Sequence, residues 1–183
     1  FGGKLHADAA VYYMRVRDLQ LSVMAGDYGY GRQMINAGRS SSCGVELSLR
    51  GTALDNRFTW AATYGYTHSQ LLDYEDNQVP FIPTHTFSAM TDYRIGKFTF
   101  GLNVAGNGPT YWDVDNEYRQ KLYATLGAHA MVDFGCIKLN VWGRNLTDTK
   151  YNTMLVNSSI DGTNRSFAQQ GNPLQIGADI IMH

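Results

Sequence analysis

Five histidines and two cysteines are the first residues from which a metal site or a nucleophile could be built. No two histidines stand at the i, i+4 spacing that places two ligands on one helix face, and no CxxC motif occurs. The run of Ser40, Ser41 and Ser42 lacks the Gly-x-Ser-x-Gly elbow of a serine nucleophile. We therefore predict no enzyme activity, no metal site and no cofactor. The residues concerned are His6, His68, His85, His129, His183, Cys43 and Cys136.

A short acidic run is the other candidate for metal chemistry. In WDVDNEY the residues Asp113, Asp115 and Glu117 alternate with other side chains. The EF-hand spacing fails, because no Gly follows at the sixth position and no Glu at the twelfth. A calcium site is the weaker hypothesis here, and a solvated loop is the stronger one.

Composition favours β-structure for the elements that carry these residues. The 183 residues include 12 Tyr, 8 Phe, 3 Trp and 19 Gly but only 4 Pro. Aromatic residues and a low charge content favour strands over helices. The formal net charge is −1, from 15 basic and 16 acidic residues, and no basic stripe is present. Nucleic acid is therefore excluded as an expected partner.

Alternation of apolar and polar residues predicts about eight strands. In FTWAATYGYTH, for example, Phe58, Trp60 and Tyr64 share one side, and Thr59 and Thr63 share the other. No run approaches the roughly 18 apolar residues of a membrane helix. The predicted strands are 5–18, 44–51, 58–68, 84–95, 97–106, 121–134, 136–145 and 172–183.

The connections between these strands alternate strictly between long and short. Such alternation has no reason to occur in a soluble sandwich, but it is typical of outer-membrane barrels, which have long outer loops and short periplasmic turns. The long connections are 19–41, 70–83, 107–119 and 146–171, and the short ones are 51–56, 95–97 and 134–136.

Five segments in order resemble the C-terminal part of TonB-dependent outer-membrane receptors. VWGRNLTDTKY, residues 141–151, is similar to the family's Asn-Leu, acidic, Lys-Tyr motif, and would end the penultimate strand and begin the last outer loop. Thr147 departs mildly from the family pattern, and the final Ile181-Met182-His183 departs from its usual terminal aromatic. The other four segments are GRSSSCGVELSLRG, FTWAATYGYTHSQLLDY, VPFIPTHTFSAMTDYRI and GNPLQIGADIIMH.

The resemblance implies an all-β fold, an antiparallel up-and-down meander of about eight strands that forms a barrel or a barrel segment over residues 1–183. The plug domain and the N-terminal strands of a full receptor are expected to lie outside this chain. The implied function is TonB-energised uptake of a siderophore, cobalamin or glycan-type ligand across the bacterial outer membrane. The implied partners are outer-membrane lipid, an extracellular small-molecule or glycan ligand, and the TonB complex through the plug region.

In this interpretation, ligand contact belongs to the lumen wall and the outer loops. Aromatic and polar loop residues suit sugars or aromatic chelates. The candidates are Tyr28, Tyr30, Tyr111, Trp112, Asp113 and Asn116.

A self-contained eight-stranded barrel is the alternative, either a small outer-membrane protein or a lipocalin-like carrier. Because bare sheet edges are sticky, we expect the isolated chain to pair its first and last strands or to pair its edges with a neighbour. In the closed form the apolar face would turn inward, away from the outer surface. Exposure of Phe58, Trp60, Phe98 and Leu126 would argue against that inversion. Whether Cys43 and Cys136 form a disulfide stays open at this point.

Overall fold

In the computed structural model, the described residues are 4–24, 32–160 and 163–182. They contain no helix that is long and apolar enough to cross a membrane. The all-β prediction is confirmed. The strands are β1 (Leu5–Val16), β2 (Gln20–Met24), β3 (Arg32–Asn36), β4 (Ser40–Ala53), β5 (Phe58–Leu71), β6 (His85–Ile95), β7 (Phe98–Gly108), β8 (Thr110–Tyr111), β9 (Arg119–Gln120), β10 (Tyr123–Asp133), β11 (Ile137–Arg144), β12 (Asn152–Ile160), β13 (Thr163–Gln170) and β14 (Gln175–Met182).

Eight of these strands form one antiparallel sheet in the order β1-β4-β5-β6-β7-β10-β11-β14. They are the eight strands predicted from alternation, and each pairs with the next large strand along the chain. The described pairings include none between β1 and β14, so the sheet is open. Closure of the sheet by its first and last strands, one of the two outcomes expected for the isolated chain, is therefore wrong, and the self-contained barrel is not supported. Pairing of the edges with a neighbour stays a prediction.

All long connections lie at one end of the sheet, which we call the loop end, and all short turns lie at the other, the turn end. The short turns lie between β4 and β5, between β6 and β7, and between β10 and β11. Three long connections also contain small two-stranded hairpins, β2–β3, β8–β9 and β12–β13. Sequence alternation missed these hairpins because they are short or polar.

The register gives the sheet one apolar and one polar face. Residues directly opposite each other on neighbouring strands project from the same face. One apolar row crosses six strands in continuous register. The row consists of Ala7, Leu49, Ala62, Ala89, Val104 and Leu126.

The apolar face is exposed to its surroundings. Val11 is 82% exposed, Leu102 58% and Val141 55%, on three different strands. Phe98 and Leu126 are exposed as well, and Phe58 and Trp60 are half-buried among their neighbours on the same face. The expected inward turn of this face does not occur.

Aromatic side chains on the apolar face concentrate toward its two ends. Toward the turn end, Phe58, Tyr93 and Phe100 stand in one row. Toward the loop end, Tyr64 and Tyr66 lie beside His85, whose Nδ1 is 2.9 Å from the Tyr64 hydroxyl. Between Phe58 and Tyr66, β5 rises roughly 27 Å at about 3.4 Å per residue. Two aromatic belts around an aliphatic band are typical of outer-membrane barrels.

The small buried core lies at the loop end. Ala37, Leu71 and Val79 are buried together, and they come from three separate parts of the chain. Leu19, Leu21, Tyr74, Ile82 and Val114 pack against them. The long connections therefore pack on one another instead of extending independently from the sheet.

The two cysteines lie far apart and are both free and exposed. Cys43 is paired in register with His68 toward the loop end, on the apolar face. Cys136 belongs to the turn between β10 and β11, at the turn end. No disulfide joins them.

Candidate functional site

Three hollows lined by described residues lie side by side on the polar face of the sheet. The first is lined by hydroxyl and amide side chains, by two tyrosine rings and by Phe87, and has a volume of about 400 Å³. We call it the tyrosine hollow, and it lies in the half of the face nearer the loop end. Its polar and aromatic lining residues are Thr63, Thr86, Phe87, Ser88, Asn107, Tyr123, Thr125 and Tyr151.

Two aromatic rings dominate the tyrosine hollow. Tyr123 begins β10, and Tyr151 follows the end of β11, yet their ring centroids are 4.1 Å apart and nearly parallel, at 11°. Asn107 directs its amide nitrogen to the Tyr123 hydroxyl at 3.5 Å. The pair therefore joins the sheet to the start of the last long connection.

The two other hollows, each about 330 Å³, contain charged side chains. One shares Thr63 and Thr86 with the tyrosine hollow and is lined by Asp8 and Glu46. The other lies toward β14 and is lined by His129, Arg144 and Asp179, among others. The face therefore changes from acidic, through neutral, to mixed charge across the sheet.

Polar side chains of the mixed-charge hollow contact one another and the neighbouring Asp92. His129 Nε2 is 3.3 Å from a carboxylate oxygen of Asp92, and Asn140 donates to Asp179 at 3.2 Å. The Arg144 guanidinium lies 4.7 Å from the centre of the Trp142 ring. Among the described residues, no group of three or more His, Cys, Asp or Glu side chains is placed to hold a metal ion.

The connection between β7 and β10 carries four of the predicted ligand-contact residues. The side chains of two of them form hydrogen bonds with the backbone of this chain. The Asn116 side chain accepts from the Gln78 backbone N–H at 2.7 Å and donates to the Gln78 carbonyl at 3.0 Å. The Asp113 carboxylate accepts from the backbone N–H groups of Glu117 and Tyr118 at 3.0 and 2.9 Å. Asp113 and Asn116 thus shape the loop and join it to the preceding long connection.

The other two predicted residues present aromatic surface at the loop end. Trp112 packs edge-on against Phe81, with ring centroids 5.6 Å apart, and Tyr111 lies 6.0 Å from the Arg119 guanidinium. Both rings are half-buried. Tyr28 and Tyr30 lie outside the described residues. Ligand contact by any of the six stays a prediction.

An ion pair fixes the base of the β2–β3 hairpin to the turn after β5. Arg39 approaches Asp73 at 2.7 Å from its guanidinium and donates its backbone N–H to the same carboxylate at 2.7 Å. These hydrogen bonds lower the pKa of Asp73 and raise that of Arg39. Gly38, at φ +71°, leaves the space that Asp73 occupies, so a larger residue there would displace the carboxylate.

The stretch VWGRNLTDTKY ends β11 in a tightly bonded corner. Asn145, buried and at φ +48°, donates from its side-chain amide to the carbonyls of Thr149 and Asn172 at 3.0 and 2.9 Å. Its side-chain oxygen accepts from the Thr149 backbone N–H at 2.9 Å. Asp148 accepts from the Leu174 N–H at 3.1 Å. The motif therefore ties the start of the last connection to its end.

The tyrosine hollow was not predicted from the sequence. Alternation does place Tyr123 and Thr125 on the polar side of their strand. It gives no information on which residues of other strands stand opposite them, because register depends on the whole sheet. The available sequence signals were Tyr123 on the polar side of its strand and Tyr151 at the end of the motif VWGRNLTDTKY.

A family model described as "TonB dependent receptor-like, beta-barrel" matches residues 1–146. The pesticin receptor of Yersinia enterocolitica is 30% identical to this chain over 154 residues, which cover 79% of the chain and 22% of that receptor. The chain therefore spans about a fifth of the length of this curated relative.

Two solved structures share the fold. The ferric yersiniabactin uptake receptor of Yersinia pestis superimposes with a TM-score of 0.82 at 24% identity, covering 97% of this chain and 27% of that one. The siderophore receptor PiuA of Acinetobacter baumannii gives 0.75 at 20% identity, covering 98% and 26%.

Proposed function

The chain belongs to the family of TonB-dependent receptor-like β-barrels of the bacterial outer membrane, and from this premise we propose that it forms part of the barrel wall of a receptor that imports a siderophore-type ligand. It would supply eight strands to a barrel of about 22, with the plug and the remaining strands outside this chain. The exposed apolar face would meet membrane lipid, and the polar face would line the lumen.

The observation that carries this proposal is the difference in chemistry between the two faces of the sheet. An aliphatic band between aromatic belts suits contact with lipid, and the hollows on the opposite face suit a small ligand. The interlocked connections at the loop end would present their aromatic residues, including Tyr111 and Trp112, above the hollows.

The similar proteins favour a siderophore-type ligand over cobalamin or a glycan. They include a ferric yersiniabactin uptake receptor and a siderophore receptor. Import of such a ligand requires energy, which would come from the TonB complex acting through the plug.

The test is uptake by cells that lack the chromosomal receptor and carry the full-length gene on a plasmid. Iron-55 chelates and radiolabelled cyanocobalamin and maltohexaose would be supplied in parallel. We expect an iron chelate to accumulate only with the plasmid, and only when TonB is intact. Accumulation of cobalamin or maltohexaose alone, or of none of the probes, would overturn the proposal.

A further inference from the structure

The tyrosine hollow combines an aromatic pair with hydrogen-bonding groups that carry no charge. Its described lining includes hydroxyls from three strands and the Asn107 amide, and none of these lining residues is ionisable apart from the two tyrosines. The Thr63 and Ser88 hydroxyls are 2.8 Å apart, so each still has capacity for a further hydrogen bond. The two neighbouring hollows contain carboxylates or an arginine instead.

The aromatic pair is held in place before any ligand arrives. The main-chain carbonyl of Tyr151 accepts from the Gly171 backbone N–H at 2.8 Å, and a side chain at position 171 would collide with the Tyr151 ring. Tyr123 is fixed on the other side of the stack by its place in β10. A pre-formed aromatic surface loses little entropy on binding, which favours affinity.

We propose that the tyrosine hollow is a ligand subsite that takes a planar aromatic ring carrying hydrogen-bond acceptors, such as the phenolate ring of an iron chelate. This rests on the proposed function. The ring would extend the stack of Tyr123 and Tyr151, and its polar groups would bond to the hydroxyls and the amide. A carboxylate-rich chelate without a ring would gain no stacking on the tyrosine pair, and Asp8 and Glu46 in the neighbouring hollow would repel it.

The experiment measures equilibrium binding of iron-55 chelates to the full-length receptor in outer-membrane vesicles. Ferric yersiniabactin and ferric enterobactin provide phenolic rings, while ferrichrome and ferric citrate have none. The variants are Tyr123→Leu and Tyr151→Leu, with Tyr151→Phe to retain the ring. Tyr93→Leu, on the apolar face, is the matched control.

We expect the wild-type receptor to bind a phenolic chelate. Each Leu variant of the hollow should weaken that binding about threefold to tenfold, the usual contribution of an aromatic pair, whereas Tyr151→Phe and Tyr93→Leu change it less than twofold. The double variant Thr63→Val/Thr125→Val keeps the side-chain volumes and should also weaken it, which covers the case in which a Leu variant fails to fold.

The other outcomes separate the two proposals. If a phenolic chelate binds equally well to all variants, or if the receptor binds only chelates without a ring, this subsite is wrong and siderophore import stands. If the Leu variants weaken every chelate equally, the aromatic pair is only a packing element and the subsite is again wrong. If no chelate binds the wild-type receptor, both proposals fall.

Discussion

Asn145 donates its side-chain amide to the main-chain carbonyl of Asn172 at 2.9 Å, across 27 residues of sequence. The bond joins the end of β11 to the residues that precede β14. Two more bonds to Thr149 surround the same buried amide. The last long connection therefore leaves and returns to the sheet at one fixed point, which sets the position of Tyr151 beside Tyr123.

Replacing Asn145 with Ala should destabilise the barrel. Three hydrogen bonds are lost at a buried site, at about 0.5–1.5 kcal/mol each, and Ala is strained at the positive φ that Asn tolerates. We expect a loss of roughly 2–4 kcal/mol in the free energy of unfolding. Urea unfolding of the full-length receptor in detergent, followed by the mobility shift of the folded barrel in gels, measures it.

The exposed Thr147→Ala is the control for this change, because it removes only the 2.8 Å contact between the Thr147 and Thr149 hydroxyls. It should alter stability by less than about 0.5 kcal/mol. If the two substitutions lowered the free energy of unfolding equally, the buried Asn145 amide would stabilise the barrel no more than the exposed Thr147 hydroxyl does.

The eight large strands could be predicted because apolar and polar residues alternate along strands that are longer than those of most globular proteins. The alternating face of β5 continues in register through Leu49 and Ala89, so local pattern and global register agree. The β8–β9 hairpin could not be predicted, because two-residue strands show no periodicity. Its form depends on contacts such as Trp112 N–H to the Tyr118 carbonyl at 2.9 Å.

The chemical roles of loop residues were harder to predict than the strands. Asp113 and Asn116 have the residue types of ligand contacts, yet their polar atoms bond to backbone in adjoining segments. Asx side chains readily bond to nearby backbone in turns, and sequence alone does not distinguish this use from ligand binding. The partner of Asn116 lies 38 residues away.

The Arg39–Asp73 pair should protect the base of the β2–β3 hairpin at neutral pH and lose this effect in acid. The folded state lowers the pKa of Asp73, so the stabilisation is fully present above the usual aspartate value near 3.9 and disappears as pH falls through the lower folded pKa. Because both side chains are exposed, the effect is small.

Amide exchange at Leu72, whose N–H donates to the Arg39 carbonyl at 2.9 Å, provides the local measurement. The Leu72 amide should exchange faster in Asp73→Asn than in wild type at pH 6, and the two rates should converge as the pH falls through the lowered folded pKa of Asp73, since the carboxyl is then protonated. Asp76→Asn in the same turn should match wild type throughout. A difference between Asp73→Asn and wild type that persisted at low pH would contradict the charge assignment.

Adjacent positions on β7 should respond oppositely to arginine. Leu102 lies on the exposed apolar face and Asn103 on the polar face. Leu102→Arg should cost about 2–4 kcal/mol if it lies near the middle of the bilayer, whereas Asn103→Arg should cost less than ~1 kcal/mol because the lumen is wet. Reversible folding of the full-length receptor into lipid vesicles compares the two free-energy costs, and equal costs would refute the assignment of the faces.

Calcium should leave the connection between β7 and β10 unchanged. The Asp113 carboxylate already accepts hydrogen bonds from two backbone N–H groups. The loop therefore lacks the set of free oxygen ligands that a calcium ion requires. The melting temperature of the full-length receptor should therefore agree within about 1 °C with and without millimolar calcium. Asn116→Ala should lower that temperature in both conditions, because it breaks the bonds to Gln78. A calcium-dependent rise that Asp113→Asn abolished would restore the metal-site hypothesis.

The exposed Cys136 makes the orientation of the sheet measurable. Cys136 lies at the turn end, which the proposed orientation places in the periplasm, and Glu117 lies exposed in a loop-end connection. In a full-length receptor whose other cysteines are serine, Cys136 should resist a membrane-impermeant maleimide on intact cells and react after the outer membrane is permeabilised. Glu117→Cys, in the same receptor with Cys136→Ser, should react on intact cells. Labelling of Cys136 on intact cells together with protection of Glu117→Cys would require the opposite orientation, with the long connections and the tyrosine hollow opening toward the periplasm.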